Sequence, residues 1–375
     1  MRQASVAGAV RRRKDEESEE TMGIKTGIVG AAGFAGIELT RLVLRHPRLE
    51  LAAVTSNELA GKPVAEEYPL FAGACDLAFT RHDDAALDEC ELVFLAVPHT
   101  AALAAAPPLV ARGAVVVDLS ADFRLEDPAV YERWYGVPHT QTDLLARRAF
   151  GLPELFPDDL ARAAAERREG RGVLVGCAGC YPTATSLAAA PAVRSGLLAE
   201  DAVVVADAIS GVTGAGKKAT PRTHFCFANE NLEAYGMATH RHTPEIEQIL
   251  GIPGRLVFTP HLAPANRGLL STVNIPLAAD APRDAAAIVE LYRAFYADSP
   301  FVTVLDAGTS PKTSSVVGTN RAHVGLAVND RAGVLIAVGA IDNLGKGAAS
   351  QALQCANAVY DLPADCGLEA VAVPV

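Results

Sequence analysis

The sequence predicts an α/β fold in two domains, a parallel β-α-β unit followed by an α+β unit on a mostly antiparallel sheet. Three observations carry this. Short, near-continuous apolar runs alternate with helical stretches through the N-terminal part, as parallel strands buried on both faces require. A glycine-rich turn, Gly30-Ala31-Ala32-Gly33-Phe34-Ala35-Gly36, joins the first strand to the first helix. Beyond Asp201, strand-like runs outnumber helices. At 375 residues the chain also exceeds one ordinary hydrophobic core.

In chain order, residues 25–29 read as a strand and 34–45 as a helix ended by Pro47, with 49–55 the second strand. The apolar runs 91–97 and 114–119 flank a helix over 100–112. Residues 122–171 are proline-rich and less regular, with a charged helix at 158–169, and 172–175 resume as a strand leading to Cys180. In the second unit, strands are expected at 203–209, 255–259, 270–276, 323–328 and 333–339. Helices are expected there at 230–235, 243–250 and 283–297, with a last helix at 345–360.

The net charge of −11 argues against non-specific nucleic-acid binding. The apolar runs are too short and interrupted for a transmembrane helix. Seven scattered cysteines, an odd number in a large chain, argue against a disulfide framework and for a reducing cytoplasm. In residues 1–22 a basic run, Arg11 to Lys14, is followed by acidic residues without an apolar core, which fits neither a signal nor a transit peptide. They read as a solvated tail, or as residues preceding the true start at Met22.

The spacing G-x-x-G-x-x-G places Gly30, Gly33 and Gly36 where a strand runs into a helix, and Phe34 opens that helix. Such a turn brings backbone N–H groups to a pyrophosphate at a helix N-terminus. The second strand ends in Thr55-Ser56-Asn57, without the acid that binds the ribose of NAD. Ser56, helped by Lys62, favours the 2′-phosphate of NADP. The bland alternative for the turn is close helix–strand packing.

Cys180 precedes Tyr181-Pro182-Thr183 and an alanine-rich run, so it should begin a helix whose dipole lowers its pKa and makes it a nucleophile. A buried, inert thiol is the competing reading. Cys177 completes a C-x-x-C pair, but no second pair follows to make a zinc site, and no metal is expected. Cys177 reads as a structural residue, with a 177–180 disulfide as a minor alternative. His240-Arg241-His242 lies just before Thr243-Pro244-Glu245, a good helix start, and two histidines flanking an arginine suit acid–base and anion work. His46, His82 and His139 read as surface positions. The segment 210–218, SGVTGAGKK, is not a Walker loop; it reads as a basic anion-binding loop or as a turn with solvated lysines.

Together these residues resemble the N-acetyl-γ-glutamyl-phosphate reductase family, the arginine-pathway branch of the semialdehyde dehydrogenases. The matching blocks are GIVGAAGFAGIEL (27–39), LAVPH (95–99), DLSADFRL (118–125), YGVPH (135–139), GLPEL (151–155), GCYPTA (179–184), ISGVTGAGK (209–217), HRHTPEI (240–246) and DNLGKGAASQA (342–352). The resemblance implies a Rossmann NADP-binding domain over 23–178 and 343–375, and a catalytic and oligomerisation domain over 179–342. It implies a last helix packed back on the first domain and a homodimer or homotetramer. It makes Cys180 the nucleophile and His240 the general acid–base, puts Arg124, Arg241 and His242 near an anionic acyl-phosphate substrate, and sets Pro98, Ser210, Gly211 and Asn343 on the cofactor side. Competing members are the lysine-pathway aminoadipyl-phosphate reductases and aspartate semialdehyde dehydrogenase; outside enzymes, a nucleotide-sensing Rossmann protein would keep the fold without the chemistry.

Overall fold

The computed structural model describes residues 23–373, so the expectation for the tail, residues 1–22, lies outside the described residues. The N-terminal unit is built from β1 (Ile24–Val29), α1 (Phe34–Val43), β2 (Leu49–Thr55), β3 (Leu92–Leu95), α2 (Ala102–Ala111) and β4 (Val115–Asp118). It continues through α3 (Pro128–Tyr135), α4 (Thr142–Arg147), β5 (Ala149–Gly151), α5 (Pro157–Arg168) and β6 (Val173–Cys177). The strands form one parallel sheet in the order β2-β1-β3-β4-β6-β5. Leu92 to Leu95 and Val115 to Val117 are buried on both faces, which is why these strands read as unbroken apolar runs.

The long helix α6 (Cys180–Arg194) leads into the second unit. There β7 (Val204–Gly211), β8 (Glu233–Ala234), α7 (Thr243–Leu250), β9 (Leu256–Ala263), β10 (Leu269–Pro276), α8 (Ala285–Phe295), β11 (Val302–Val304), β12 (Ala322–Asn329) and β13 (Val334–Ile341) follow. Its seven-stranded sheet runs β11-β12-β13-β10-β7-β9-β8. The β7–β9 and β11–β12 pairings are parallel and the other four antiparallel, so the sheet is mixed. One face carries α6, α7 and α8. The alanines of α6, Ala184 and Ala188 to Ala190, are buried there and let the helix backbone approach the sheet closely.

Two expected helices change. Residues 230–235 are not helical: Glu230 takes a left-handed φ of 56°, and Glu233–Ala234 instead pair with His261 and Leu262 of β9. The last helix begins as a π-turn, Gly345–Ala349, before α9 (Ser350–Val359). Lys346 in that turn is fully buried, its Nζ donating to Glu154 Oε1 at 2.6 Å and to Gln354 Oε1 at 2.7 Å. α9 packs back on the first unit, where Leu353, Cys355, Ala356 and Val359 join the core of the parallel sheet. Among the described residues no helix is long and apolar enough to cross a membrane.

Candidate active site

The chain leaves β1 toward β2 on one side and reaches β3 on the other, so the carboxyl ends of β1 and β3 flank the crevice where open α/β sheets bind ligands. A cleft of about 910 Å³ opens there, lined by Gly30, Gly33, Phe34, Ser56, Pro98 and Asn343 among others. Gly30 has φ +84°, and a Cβ at that position would run into the Ala96 carbonyl oxygen. α1 starts after Gly33 with no side-chain cap, leaving the first-turn N–H groups free for an anion. These features fit a dinucleotide pyrophosphate. Gly36 faces Gly30 and Ala31 inside the turn, so it shapes the cradle from behind.

Ser56 lies on the wall at the end of β2, as a 2′-phosphate site requires, but Lys62 does not reach it. Its Nζ is drawn off to Glu67 Oε2 at 2.8 Å. The lysines on the cleft are Lys217 and Lys218, from the loop after β7. Ser210 and Gly211 end β7 behind this wall, and it is Thr213, Gly214 and Gly216 that line it. Asn343 braces the same loop: its Oδ1 accepts from the Gly268 N–H at 2.8 Å and its Nδ2 donates to Thr213 Oγ1 at 2.9 Å.

Cys180 is the first residue of α6 and borders both this cleft and a second cavity of about 250 Å³. The helix start does not give a ready-made thiolate. Burial pushes the Cys180 thiol up to about 11, against the pull of the Arg124 guanidinium and the Tyr181 N–H. Cys177 is not its redox partner here; the Cys177 thiol lies 4.0 Å from Cys355, both buried in the sheet core.

Arg124 is held by two backbone carbonyls, donating through Nε to Cys177 O and through Nη2 to Leu119 O, each at 2.7 Å. Its Nη1 then faces Glu245 Oε2 at 3.5 Å and His242 Nε2 at 3.4 Å. Glu245, fully buried in the first turn of α7, accepts the Gly179 N–H at 2.8 Å. A Cβ on Gly179 would stand 2.6 Å from His242 Nε2 and 2.7 Å from Arg124 Nη1, so both groups press on the backbone beside the cysteine. His242 itself precedes α7, and Thr243 is its first residue and not its cap.

His240 and His242 stack edge to face at 4.9 Å, and the His242 N–H donates to His240 Nδ1 at 3.2 Å. Burial, reinforced by Arg241, lowers His240 to about 4; burial, His240 and Arg124 hold His242 well below the usual imidazole value. Both rings are therefore neutral at pH 7. Arg241 is exposed, its guanidinium 5.2 Å over the Tyr135 ring. His46 and His139 are buried, not surface residues: His46 Nε2 pairs with Asn357 Oδ1 at 3.1 Å, and His139 Nε2 with Asp122 O at 2.8 Å.

Sequence reasoning missed His99, Tyr135, Arg222 and Tyr235, which line the smaller cavity with His240 and Arg241. The blocks LAVPH and YGVPH carried His99 and Tyr135, but as fold markers only. No sequence signal pointed to Arg222 or Tyr235, which reach the cavity because the segment after β7 folds over α6.

Residues 25–163 match the semialdehyde dehydrogenase NAD-binding domain and residues 180–343 the semialdehyde dehydrogenase dimerisation domain. The N-acetyl-gamma-glutamyl-phosphate reductase of Halorhodospira halophila is 46% identical, covering 93% of this chain and 99% of its own. That of Bordetella pertussis is 42% identical over 93% and 97%. In fold, the chain is similar to the aspartate semialdehyde dehydrogenase II of Vibrio cholerae, with a TM-score of 0.68 at 16% identity over 91% of this chain and 99% of that one. It is likewise similar to the Candida albicans aspartate semialdehyde dehydrogenase crystallised with NADP, at a TM-score of 0.67, 15% identity and coverage of 90% and 98%. At this level of identity over nearly the whole length, the chain belongs to the N-acetyl-gamma-glutamyl-phosphate reductase family of semialdehyde dehydrogenases.

Proposed function

We propose that this chain reduces N-acetyl-γ-glutamyl phosphate to N-acetylglutamate 5-semialdehyde and phosphate, through a thioester on Cys180, in arginine biosynthesis. The observation that carries the proposal is the junction at Cys180: a nucleophile at a helix start, between a dinucleotide cleft and a smaller cavity rich in Arg, His and Tyr. The Gly30–Gly33 turn, the Phe34 end of α1 and Ser56 would hold NADP, and as NADPH it would supply the hydride that reduces the thioester.

The thiol's high pKa and the histidines' low ones define how the chain activates Cys180. A neutral imidazole accepts the thiol proton as sulfur attacks the acyl carbon, so charge appears only as the bond forms. Phosphate leaves against the fixed Arg124 guanidinium. The N–H groups opening α6 stabilise the oxyanion. The protonated imidazole then returns its proton as the aldehyde forms. Arg222, Arg241 and Tyr235 offer partners for the carboxylate and amide of the substrate tail.

His240 is the acid–base group on the family pattern. A second reading assigns that role to His242, favoured by its contact with the Gly179 backbone and with Arg124. The histidine whose Asn variant loses about 10²–10⁴-fold in kcat is the acid–base group.

The apolar residues Ile209 and Val257 on the outer sheet face, with Phe225, Phe227 and Met237 nearby in sequence, are exposed in a single chain and support a homodimer or homotetramer. The partner is a small anionic acyl phosphate, without nucleic acid or membrane, in the cytoplasm.

The decisive experiment is the reverse reaction: NADPH formation from the semialdehyde, NADP and inorganic phosphate. Phosphate-dependent signal that falls by on the order of 10³-fold or more in Cys180→Ser supports the assignment. Signal only with the one-carbon-longer or the aspartate analogue keeps the chemistry and changes the substrate. No signal with any of the three ends the proposal.

A further inference from the structure

The acid-free end of β2 abuts His82, which is exposed, as the sequence reading expects of a surface position. The loop carrying it is stitched to the strand end: the Thr80 N–H donates to Val54 O at 3.0 Å and the Ser56 N–H donates to Thr80 O at 2.8 Å. The His82 N–H donates to Asn57 Oδ1 at 3.0 Å, and the His82 ring meets Thr55 Oγ1 through Nδ1 at 2.6 Å. Thr55 is fully buried. Ser56 and Asn57 thus hold the backbone of this loop, and Thr55 holds the His82 ring, on a cleft wall that Ser56 also lines. Among the described residues its Nε2 has no hydrogen-bond partner.

The other cations near this end are partly committed. Lys62 pairs with Glu67 at 2.8 Å, and Lys217 donates to the Tyr68 hydroxyl at 2.5 Å with Glu67 at 3.6 Å. Glu58 and Glu67 also line the cleft, so the site is not a general anion trap.

We propose that His82 is a specificity-determining residue for the cofactor, its ring receiving the 2′-phosphate of NADP and taking up a proton as it does so. This rests on the NADP reading above. In the protonated ring Nδ1–H donates to Thr55 Oγ1, and Nε2–H is left for a phosphate oxygen, a charge-assisted bond. A hydrogen at the ribose 2′-oxygen, as in NAD, offers no dianion to hold that proton.

The sign of the pH dependence follows. Partial burial lowers the His82 pKa, opposed by Asp83 and reinforced by Arg81, so the free ring is neutral at pH 7. Asp84 and Asp88 share with the ring a separate cavity of about 280 Å³, while Glu58, Glu67, Lys217 and Lys218 line the cleft with it. Lys62 holds the Glu67 carboxyl below its ordinary value and Tyr68 holds the Lys217 ammonium above its own, so neither changes charge between pH 6.5 and 8. His99 and His240, both at about 4, and His242 below its ordinary value stay neutral over the same range. The second ionisation of a phosphate monoester lies near 6, so the dianion persists above about pH 6.5. NADP affinity should therefore rise as pH falls from 8 to 6.5, and NAD affinity should not.

The test is a fluorescence binding titration of the full chain with NADPH and with NADH across that range, for the wild type, His82→Ala and His82→Gln. The expected result is a several-fold tightening of NADPH toward pH 6.5 in the wild type. In His82→Ala, NADPH weakens about tenfold at pH 6.5, the size of one charge-assisted hydrogen bond, while unchanged NADH binding reports an intact cleft. His82→Gln keeps a neutral N–H and recovers part of the affinity, without the pH slope. If the variants keep the wild-type preference and slope, the assignment of His82 is overturned and the NADP reading stands. If the wild type binds NADPH and NADH alike, the NADP reading falls and His82 falls with it.

Discussion

In the proposed mechanism Cys180, His240 and His242 rest as neutral groups and take on charge only as the reaction proceeds. Alkylation of Cys180 by iodoacetamide should be slow at pH 7 and climb steadily with pH toward about 11, because the thiolate fraction grows over that whole range. A rate that levels off near pH 7 would mean a preformed thiolate and would contradict the neutral pair. Arg124→Gln removes the cation that opposes burial, so its alkylation should be slower at every pH; a faster variant would show that Arg124 is not what draws the thiol down. Stability carries the same signature. A thiol whose folded pKa is raised contributes fully below its unfolded value near 9, and that contribution is lost as pH rises toward 11. At this scale the sequence was only half legible. Cys180 and the HRH triplet were visible because their residue types are chemically rare, whereas the environment that sets their pKa values is not local. Arg124, Glu245 and Gly179 meet only after three separate segments converge, and burial there outweighs the helix-start effect that the local sequence suggested.

Among the elements, the π-turn at Gly345–Ala349 carries a fully buried lysine. Lys346 and Glu154 form a fully buried ion pair between the last helix and the loop after β5. Breaking such a pair leaves one charge stranded, at a cost of about 3–5 kcal/mol, while replacing both partners by apolar residues is often neutral. Lys346→Met should therefore lower the urea midpoint strongly and Lys346→Met with Glu154→Leu much less; equal losses would place the effect in packing instead. Elements with clean punctuation were readable from sequence: α7 follows from Thr243-Pro244-Glu245 at its start, and β3 and β4 from unbroken apolar runs. The segment 230–235 was not, because its helical composition lost to a left-handed Glu230 and to edge pairing with β9. Neither competitor is visible in a six-residue window.

For the whole molecule, the seven-stranded sheet covers one face with its own helices and leaves the other to be covered. A charge on that open face, Val257→Glu, should shift sedimentation toward smaller species and expose the fold to faster heat inactivation, since Val257 is half-exposed in the single chain and lies on the face proposed for assembly. An unchanged sedimentation coefficient would move the interface elsewhere. The fold class was legible because it rests on periodicity; the surface that assembles was not, because alternating strands look alike whether their outer face meets water or a second copy.

The return of α9 has a consequence in time. The parallel sheet comes first in the chain, yet its core includes Leu353, Ala356 and Val359, with Leu368 beyond them. During synthesis the N-terminal unit therefore waits, its apolar strands incompletely covered, until nearly the whole chain has left the ribosome. The second unit, whose buried core draws on residues 150–341, can be finished before the first. This enzyme should then be born back to front, with its nucleotide cleft the last part to become habitable.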